Sequence, residues 1–234
     1  MDATRTLSDP ASASASSRRP LVVRRLGLVR YADALEMQAE LVRQRRAGEI
    51  PDTLLLLQHP HVITLGSGAH DDNVLVSAEE RAARGIELFD TGRGGDVTYH
   101  GPGQLVGYPI LDLKPDRQDL HRYLRDLEEV LIAVLAEFGL VGGRKEGLTG
   151  AWVDDRKLAA IGVRVSSGWI TSHGFALNVS TDLSFFGAIV PCGITRYGVG
   201  SISGELGRPV AMEEVEAAVV RCFEREFGRA AIDG

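Results

Sequence analysis

Apolar side chains recur at three- and four-residue steps between residues 119 and 138, and this is the cleanest helical stripe in the chain. Such spacing places the apolar side chains on one face of a helix. The same spacing predicts helices at roughly 31–47 and 213–227. Gly48 follows the first of these and is a typical helix terminator. The pattern therefore predicts three long helices, each with one apolar face.

Shorter apolar runs between these helices predict strands. Residues 53–58 contain four consecutive leucines between two prolines, a length and setting typical of a buried strand. Further strands are predicted at 21–26, 62–65, 96–100, 151–153, 157–165 and 169–179. Turn residues at 154–156 and 166–168 separate the last three runs, which favours successive antiparallel strands. The chain thus combines helices and strands, and no internal repeat is visible.

Length, composition and charge narrow the class of protein. The 234 residues fit one large domain, and 44% apolar with 25% charged residues is ordinary for a soluble globular protein. The net charge of -6 argues against nucleic acid as a partner, because phosphate binding needs a basic surface. No run approaches about 18 apolar residues, so no membrane span is predicted. We expect residues 1–20 to form a disordered tail and residues 21–230 a single domain.

The two cysteines differ in their settings. They lack the spacing of a metal site and are too few for a disulfide framework, which favours a reducing, cytoplasmic compartment. Cys222 falls on the apolar stripe of the last predicted helix, as a buried structural cysteine would. Cys192 lies between a proline and a glycine after an apolar run, and such a turn can present a thiol to another molecule. Cys192 is therefore the candidate nucleophile, with a structural role as the alternative.

A nucleophilic cysteine needs a nearby cation or base to hold its thiolate. The candidates are Lys157, His100, His173 and several arginines. Sequence alone does not say which of them lies beside Cys192. His59, His61 and His70 are close in sequence but lack acidic companions, so no metal site is predicted.

Residues 93–108 read RGGDVTYHGPGQLVGY, and five of these sixteen residues are glycine. Glycine clusters serve tight turns or the close approach of backbone to a ligand. A surface loop would not need arginine, histidine, threonine and glutamine in the same segment. The pattern GxxxxGK[ST] is absent, so a nucleoside triphosphate loop is not indicated. The segment predicts a ligand-binding loop.

The same segment resembles the signature of the lipoyl(octanoyl) transferases, within the biotin/lipoate protein ligase superfamily. The matching positions are Arg93-Gly94-Gly95, Thr98-Tyr99-His100, Gly103-Gln104 and Tyr108. Three further segments agree in order: RKLAAIGVRV, SHGFALNV and IVPCGI. The resemblance covers nearly all of residues 21–227. It implies an α/β (α+β) fold with a mixed β-sheet and flanking helices, of the biotin/lipoate ligase catalytic-domain type.

The resemblance also implies a reaction. Cys192 would take an octanoyl group as a thioester from octanoyl-acyl carrier protein, and Lys157 would activate the groups that react. The acceptor would be a lysine of a lipoyl domain, in a 2-oxoacid dehydrogenase or the glycine cleavage H protein, as the first step of endogenous protein lipoylation. A thioester can pass its acyl group to a thiolate with little change in free energy, so no metal or other cofactor is expected. We expect a cytoplasmic monomer.

The family's substrate pocket maps onto positions of this sequence. The predicted substrate-binding residues are Arg93, Gly94, Gly95, Asp96, Val97, Thr98, Tyr99, His100, Ala160, Ile161, Gly162, Gly174, Phe175 and Ala176. His100 and His173 are expected to orient the pocket through hydrogen bonds. The candidate donors to the tetrahedral intermediate are backbone N–H groups of Cys192 and of residues 174–176.

Several alternatives stay open at this point. An ATP-dependent lipoate-protein ligase would share the fold and need no cysteine. A thiol-dependent thioesterase would pair Cys192 with a histidine, and a non-catalytic acyl-binding module would need neither group. Acyl carrier proteins are acidic, so a basic docking face is expected. The densest basic cluster is formed by Arg43, Arg45 and Arg46, although a solvated helix end explains it equally well.

Overall fold

The computed structural model describes residues 18–190 and 197–234. Within these residues the helices are α1 (Tyr31–Ala47), α2 (Ala78–Ala83), α3 (Leu120–Glu137), α4 (Ile202–Leu206) and α5 (Met212–Phe227). The strands are β1 (Arg19–Leu28), β2 (Asp52–Gln58), β3 (Val62–Leu65), β4 (Glu87–Asp90), β5 (Val97–His100), β6 (Gln104–Ile110), β7 (Gly143–Lys145), β8 (Leu148–Val153), β9 (Arg156–Val165), β10 (Thr171–Asn178), β11 (Gly198–Val199) and β12 (Arg229–Asp233). None of these helices has the length and apolar content needed to cross a membrane.

The strands form two sheets in the described part of the chain. Eight strands of the main sheet follow the order β12-β1-β2-β6-β10-β9-β8-β7, and β11 adds a short parallel pair to β9. Strand β1 is parallel to β2 and β12, whereas the pairs from β2 to β7 are antiparallel. A small sheet has the order β4-β3-β5. The predicted mixed sheet with flanking helices is confirmed.

The main sheet is buried on both faces. In β2, Leu54 and Leu56 pack into the core beneath α3 and α5, while Leu55 and Leu57 pack towards α1. Alternate side chains of a strand point to opposite faces, so a run of four leucines fits a strand covered on both sides. The helices owe their positions to their apolar stripes, which is why the three predicted helices coincide with α1, α3 and α5.

The main omission from the predicted elements is β6. This strand lies at the centre of the sheet, and all seven of its residues are buried. Its sequence, QLVGYPI, contains a glycine and a proline, which are unfavourable inside strands. Strand β1 also begins earlier than expected, since Arg19 already pairs with Arg229. Residues 1–17 of the predicted tail lie outside the described residues.

Candidate functional site

A pocket lies between β5 of the small sheet and strands β9 and β10 of the main sheet. It offers about 520 Å³ of space, a figure that includes the open solvent at its mouth. The lining residues are Tyr31, Arg93, Gly95, Asp96, Val97, Thr98, His100, Tyr108, Lys157, Ala160, Ile161, Gly162, His173, Gly174, Phe175 and Ala176. The pocket is therefore built from four strands, the first residue of α1 and the glycine-rich segment.

Twelve of the fourteen predicted substrate-binding residues line this pocket, and Lys157 joins them. Gly94 and Tyr99 do not. The Gly94 N–H donates to the carbonyl of Val163 at 2.9 Å, which attaches the glycine-rich segment to the edge of β9. The Tyr99 ring packs on Phe185, and its hydroxyl lies 2.7 Å from Nδ1 of His61, in a small core behind the pocket. Gly94 and Tyr99 thus support the wall of the pocket without lining it.

Tyr31, Tyr108 and His173 complete the lining. Tyr108 belongs to the matching signature, and the sequence predicts that His173 orients the pocket, but neither is among the predicted binding residues. Tyr31 carries no sequence signal of its own, because it is the first residue of an amphipathic helix and its apolar neighbours explain its burial.

Lys157 enters the pocket because β9 contains a bulge. The pairing between β8 and β9 shifts at Leu158, so that Trp152 pairs with Lys157. An extra residue in one strand turns the side chains around it. The neighbours Leu158 and Ala159 both pack into the core beneath α3 and α5, so that Lys157 lines the same pocket as Ala160, three residues further along.

The Lys157 side chain lies over an aromatic ring. Its Nζ atom is 5.3 Å from the centre of the Trp152 ring. An ammonium group at such a distance is attracted by the negative face of the ring. Trp152 is 3% exposed, so this face is fixed by the core. The lysine is thus held over the ring of a core residue and lines the pocket together with Arg93 and Asp96.

Arg93 anchors the glycine-rich segment. Its guanidinium donates to the Thr64 carbonyl at 2.6 Å, to the Thr64 hydroxyl at 2.9 Å and to the Gly94 carbonyl at 3.1 Å. The side chain is buried. These bonds tie the segment to β3, and the rigid fork of a guanidinium suits such multiple contacts. The positive charge also acts on the rings around it.

His100 is held neutral within a chain of hydrogen bonds. Its Nδ1 lies 2.8 Å from Oε1 of Gln104, whose amide nitrogen donates to the Tyr99 carbonyl and to Oδ1 of Asn178. The acceptor oxygen makes Nδ1 the protonated nitrogen, so Nε2 is an acceptor. Burial is the main cause that lowers the pKa of His100 to about 3, and the neighbouring His59 adds to it.

His173 adopts an unusual backbone conformation. Its φ angle is +56°, in the left-handed region that non-glycine residues rarely occupy. Its N–H donates to Oε1 of the buried Gln38 on α1 at 2.7 Å. Burial, together with Arg93 and Arg164, lowers the pKa of the ring to about 4. Backbone strain of this kind is often found at functional sites.

The end of the pocket near α1 is formed by aromatic rings joined by hydrogen bonds. Nδ1 of His59 lies 2.7 Å from the Val29 carbonyl, and its Nε2 lies 2.8 Å from the Tyr108 hydroxyl. The ring of Tyr31 packs on both His59 and His100. Burial raises the pKa of Tyr31 to about 12 and lowers that of His59 to about 4. At neutral pH these groups carry no charge.

The surroundings of the pocket bear on two sequence-based expectations, the oxyanion donors and the basic docking face. The predicted oxyanion donors include Phe175 and Ala176, but β10 pairs with both β6 and β9 at these residues. Their N–H groups therefore belong to the sheet ladders. The second expectation is the basic docking cluster: Arg43 pairs with Glu40 and Glu49, and Arg45 pairs with the buried Asp52. Two of its three arginines are thus neutralised by carboxylates of the same chain.

Comparison with known proteins assigns this chain to a family. The family described as lipoyl protein ligase A/B catalytic domain matches residues 30–224. The chain belongs to this family. A protein from Rubrobacter xylanophilus named octanoyltransferase is 58% identical over 90% of this chain and 96% of its own length. One of the same name from Solibacter usitatus is 52% identical over 89% of this chain and 94% of its own length.

A solved structure has a fold similar to that of this chain. It is a bipartite lipoate protein ligase from Thermoplasma acidophilum, which covers 93% of this chain and 86% of its own length with a TM-score of 0.69. The sequence identity is 19%, so this likeness concerns the fold alone.

Of the two cysteines, Cys222 is the one that lies among the described residues. Cys192 lies outside the described residues, so its distance from Lys157 is not part of the site geometry. Cys222 is buried on α5, as the sequence predicted, and lies 3.3 Å from a carboxylate oxygen of Glu137. Burial and this hydrogen bond raise the pKa of Cys222 to about 11. A thiol with such a pKa is a poor nucleophile at neutral pH.

Proposed function

We propose that this protein is an octanoyltransferase that acylates a lysine of a lipoyl domain, with octanoyl-acyl carrier protein as the donor. The observation that carries the proposal is the 58% identity, over 90% of the chain, to a protein named octanoyltransferase. The pocket supports it, because small residues such as Ala160, Gly162 and Ala176 leave room for an unbranched apolar chain. Lys157 stands at the pocket with its ammonium over Trp152.

In the first half-reaction the Cys192 thiolate attacks the thioester carbonyl of the donor. The bond from the carbonyl carbon to the donor sulfur breaks, a bond to the Cys192 sulfur forms, and the donor leaves as a thiolate that takes up a proton. One thioester replaces another, so the step needs no ATP. The ammonium of Lys157 would favour the anionic sulfur by its charge.

In the second half-reaction the amine of the acceptor lysine attacks the Cys192 thioester. An amide bond forms, and Cys192 leaves as a thiolate. The attacking amine must lose a proton, and a neutral Lys157 amine can accept it. The buried rings of Tyr31, His100 and Tyr108 bear no charge at neutral pH and exclude water from the acyl chain, which protects the thioester from hydrolysis.

A transfer assay with a purified lipoyl domain tests this proposal. Octanoyl-acyl carrier protein should octanoylate the domain without ATP, and Lys157→Ala should lower the rate at least about a hundredfold, as expected for loss of a general acid–base group. An ATP-dependent ligase would instead require ATP and free lipoate or octanoate. A thioesterase would consume the donor equally fast with no lipoyl domain present. Either of the last two results would overturn the proposal.

A further inference from the structure

Glu128 of α3 is a fully buried carboxylate that does not line the pocket. Its Oε2 accepts from Arg125 at 2.6 Å and from Arg144 at 2.9 Å. Its Oε1 accepts from the backbone N–H of Gly150 at 3.0 Å. A buried carboxylate is costly unless its oxygens are satisfied. The two arginines donate to Oε2 and compensate the charge of the carboxylate. The other oxygen, Oε1, accepts the backbone N–H of Gly150.

Gly150 lies directly beneath the side chain of Lys157. A Cβ atom at this position would come within 2.7 Å of Cε of Lys157 and would also overlap the carbonyl of Ala159. The φ angle of Gly150 is +136°, a conformation that is difficult for residues with a side chain. The aliphatic part of the Lys157 side chain therefore packs on the backbone of Gly150. This contact lies next to the register shift between β8 and β9 at Leu158.

The bulge leaves the position of Gly150 dependent on Glu128. At a bulge the ladder of hydrogen bonds between two strands is locally disrupted, and the backbone there needs other partners. The N–H of Gly150 finds its partner in the Glu128 carboxylate. Glu128 is held in turn by Arg125 and Arg144, of which Arg144 lies on β7. The lysine is thus supported by a fixed backbone, and the backbone by a fixed carboxylate.

We propose that Glu128 is a positioning residue for Lys157, acting through Gly150. Its carboxylate fixes the Gly150 backbone, which with Trp152 holds the lysine stem so that Nζ faces the pocket. The importance of this positioning for catalysis rests on the proposed octanoyl transfer. The positioning itself is a property of the folded chain and can be measured without it.

Two substitutions of Glu128 separate its hydrogen bond from its charge. Glu128→Gln keeps an acceptor oxygen for Gly150 and should retain kcat within about threefold. Glu128→Met fills a similar volume without an acceptor, and should lower kcat about ten- to a hundredfold with KM for the octanoyl donor little changed. Gly150→Ala leaves Glu128 intact but displaces the lysine stem, so it should show the same loss of kcat.

Glu216→Met is the matched control. Glu216 is also a buried helix glutamate that faces an arginine, at 3.8 Å from Arg25, but it lies on α5 and does not contact Gly150. The Glu216→Met substitution should lower the melting temperature. Its kcat, measured well below that temperature, should stay at the wild-type value. If Glu216→Met, at equal loss of stability, lowers kcat as much as Glu128→Met does, the positioning role is refuted.

The labelling of lysines by an amine-reactive reagent, followed by peptide mass spectrometry, gives a readout independent of octanoyl transfer. The chain has three lysines, and Lys114, whose side chain is 49% exposed, is the internal reference. Glu128→Met should raise the labelling of Lys157 relative to Lys114, because the released side chain reaches solvent. Glu128→Gln should leave the ratio unchanged. A ratio that stays constant or falls in Glu128→Met overturns the inference, even if the wild-type protein transfers no octanoyl group.

Discussion

The ring of Phe175 occupies the space where a side chain on Gly107 would project. The two residues pair across β10 and β6, and a Cβ atom on Gly107 would overlap three atoms of the ring. Phe175 lines the pocket and is 2% exposed, so the ring has no room to move aside. The packing of Phe175 in the core beneath α3 and α5 therefore depends on the absence of a side chain on a neighbouring strand.

Gly107→Ala should destabilise the protein and impair the site together. An extra methyl group in a packed core costs about 1–3 kcal/mol in the free energy of unfolding. The displaced ring should shift strand β10, whose residues 173–176 line the pocket, and so raise KM for the octanoyl donor. Denaturant unfolding and steady-state kinetics measure the two effects. Gly143→Ala is the control, since a Cβ atom there meets nothing within 4 Å; equal effects of both substitutions would contradict the account.

The pH dependence of stability should report the buried histidines. The pKa of His100 is about 3 in the folded protein, whereas that of an unfolded histidine is about 6.5. Between these values the unfolded chain binds more protons, so stability is fully present above about pH 6.5 and falls as the pH decreases. His59 and His173, whose pKa is about 4 in each case, act in the same direction.

The substitution His100→Asn should reduce the dependence of stability on pH. Near pH 5 the slope of the unfolding free energy should decrease by about 1.4 kcal/mol per pH unit, which corresponds to one proton fewer taken up on unfolding. Urea titrations at pH 5 and pH 7 measure the difference. His121, on the exposed start of α3, provides the control His121→Asn, which should leave the slope as it is. A wild-type slope in His100→Asn would show that the ring is not held neutral.

Arg93→Lys should weaken the glycine-rich segment although it keeps the positive charge. A lysine ammonium cannot reproduce the fork that reaches both Thr64 and the Gly94 carbonyl. Loss of hydrogen bonds to a charged donor should cost about 1.5–3 kcal/mol of stability. KM for the octanoyl donor should rise, because the segment lines the pocket. The exposed Arg208 gives the control Arg208→Lys, and an unchanged stability in Arg93→Lys would contradict the anchoring role.

The sequence predicts much of this fold because its elements are strongly periodic. Helices α1, α3 and α5 are visible from their apolar stripes, and β2 from its leucines. Strand β6 is not, because Gly107 and Pro109 lower its strand propensity. The glycine is tolerated because the Phe175 ring replaces its missing side chain. That compensation comes from a strand almost seventy residues away, which local patterns cannot reveal.

The candidate site is predictable to a similar extent. Family motifs place most of the pocket residues, but not Tyr31, which reaches the pocket because α1 packs beside β6 and β10. The motifs also do not reveal why Lys157 lines the same pocket as Ala160. That depends on a register shift at Leu158, and a shift of one residue between strands leaves no mark in composition or periodicity.

The central claim is that Cys192 carries the octanoyl group. Intact mass spectrometry of the protein after incubation with octanoyl-acyl carrier protein, without a lipoyl domain, tests it most directly. One octanoyl group should be added to the wild-type protein and to Cys222→Ala, whose thiol has its pKa raised to about 11, but not to Cys192→Ala. An octanoyl group that persists in Cys192→Ala, or is lost in Cys222→Ala, would contradict the account.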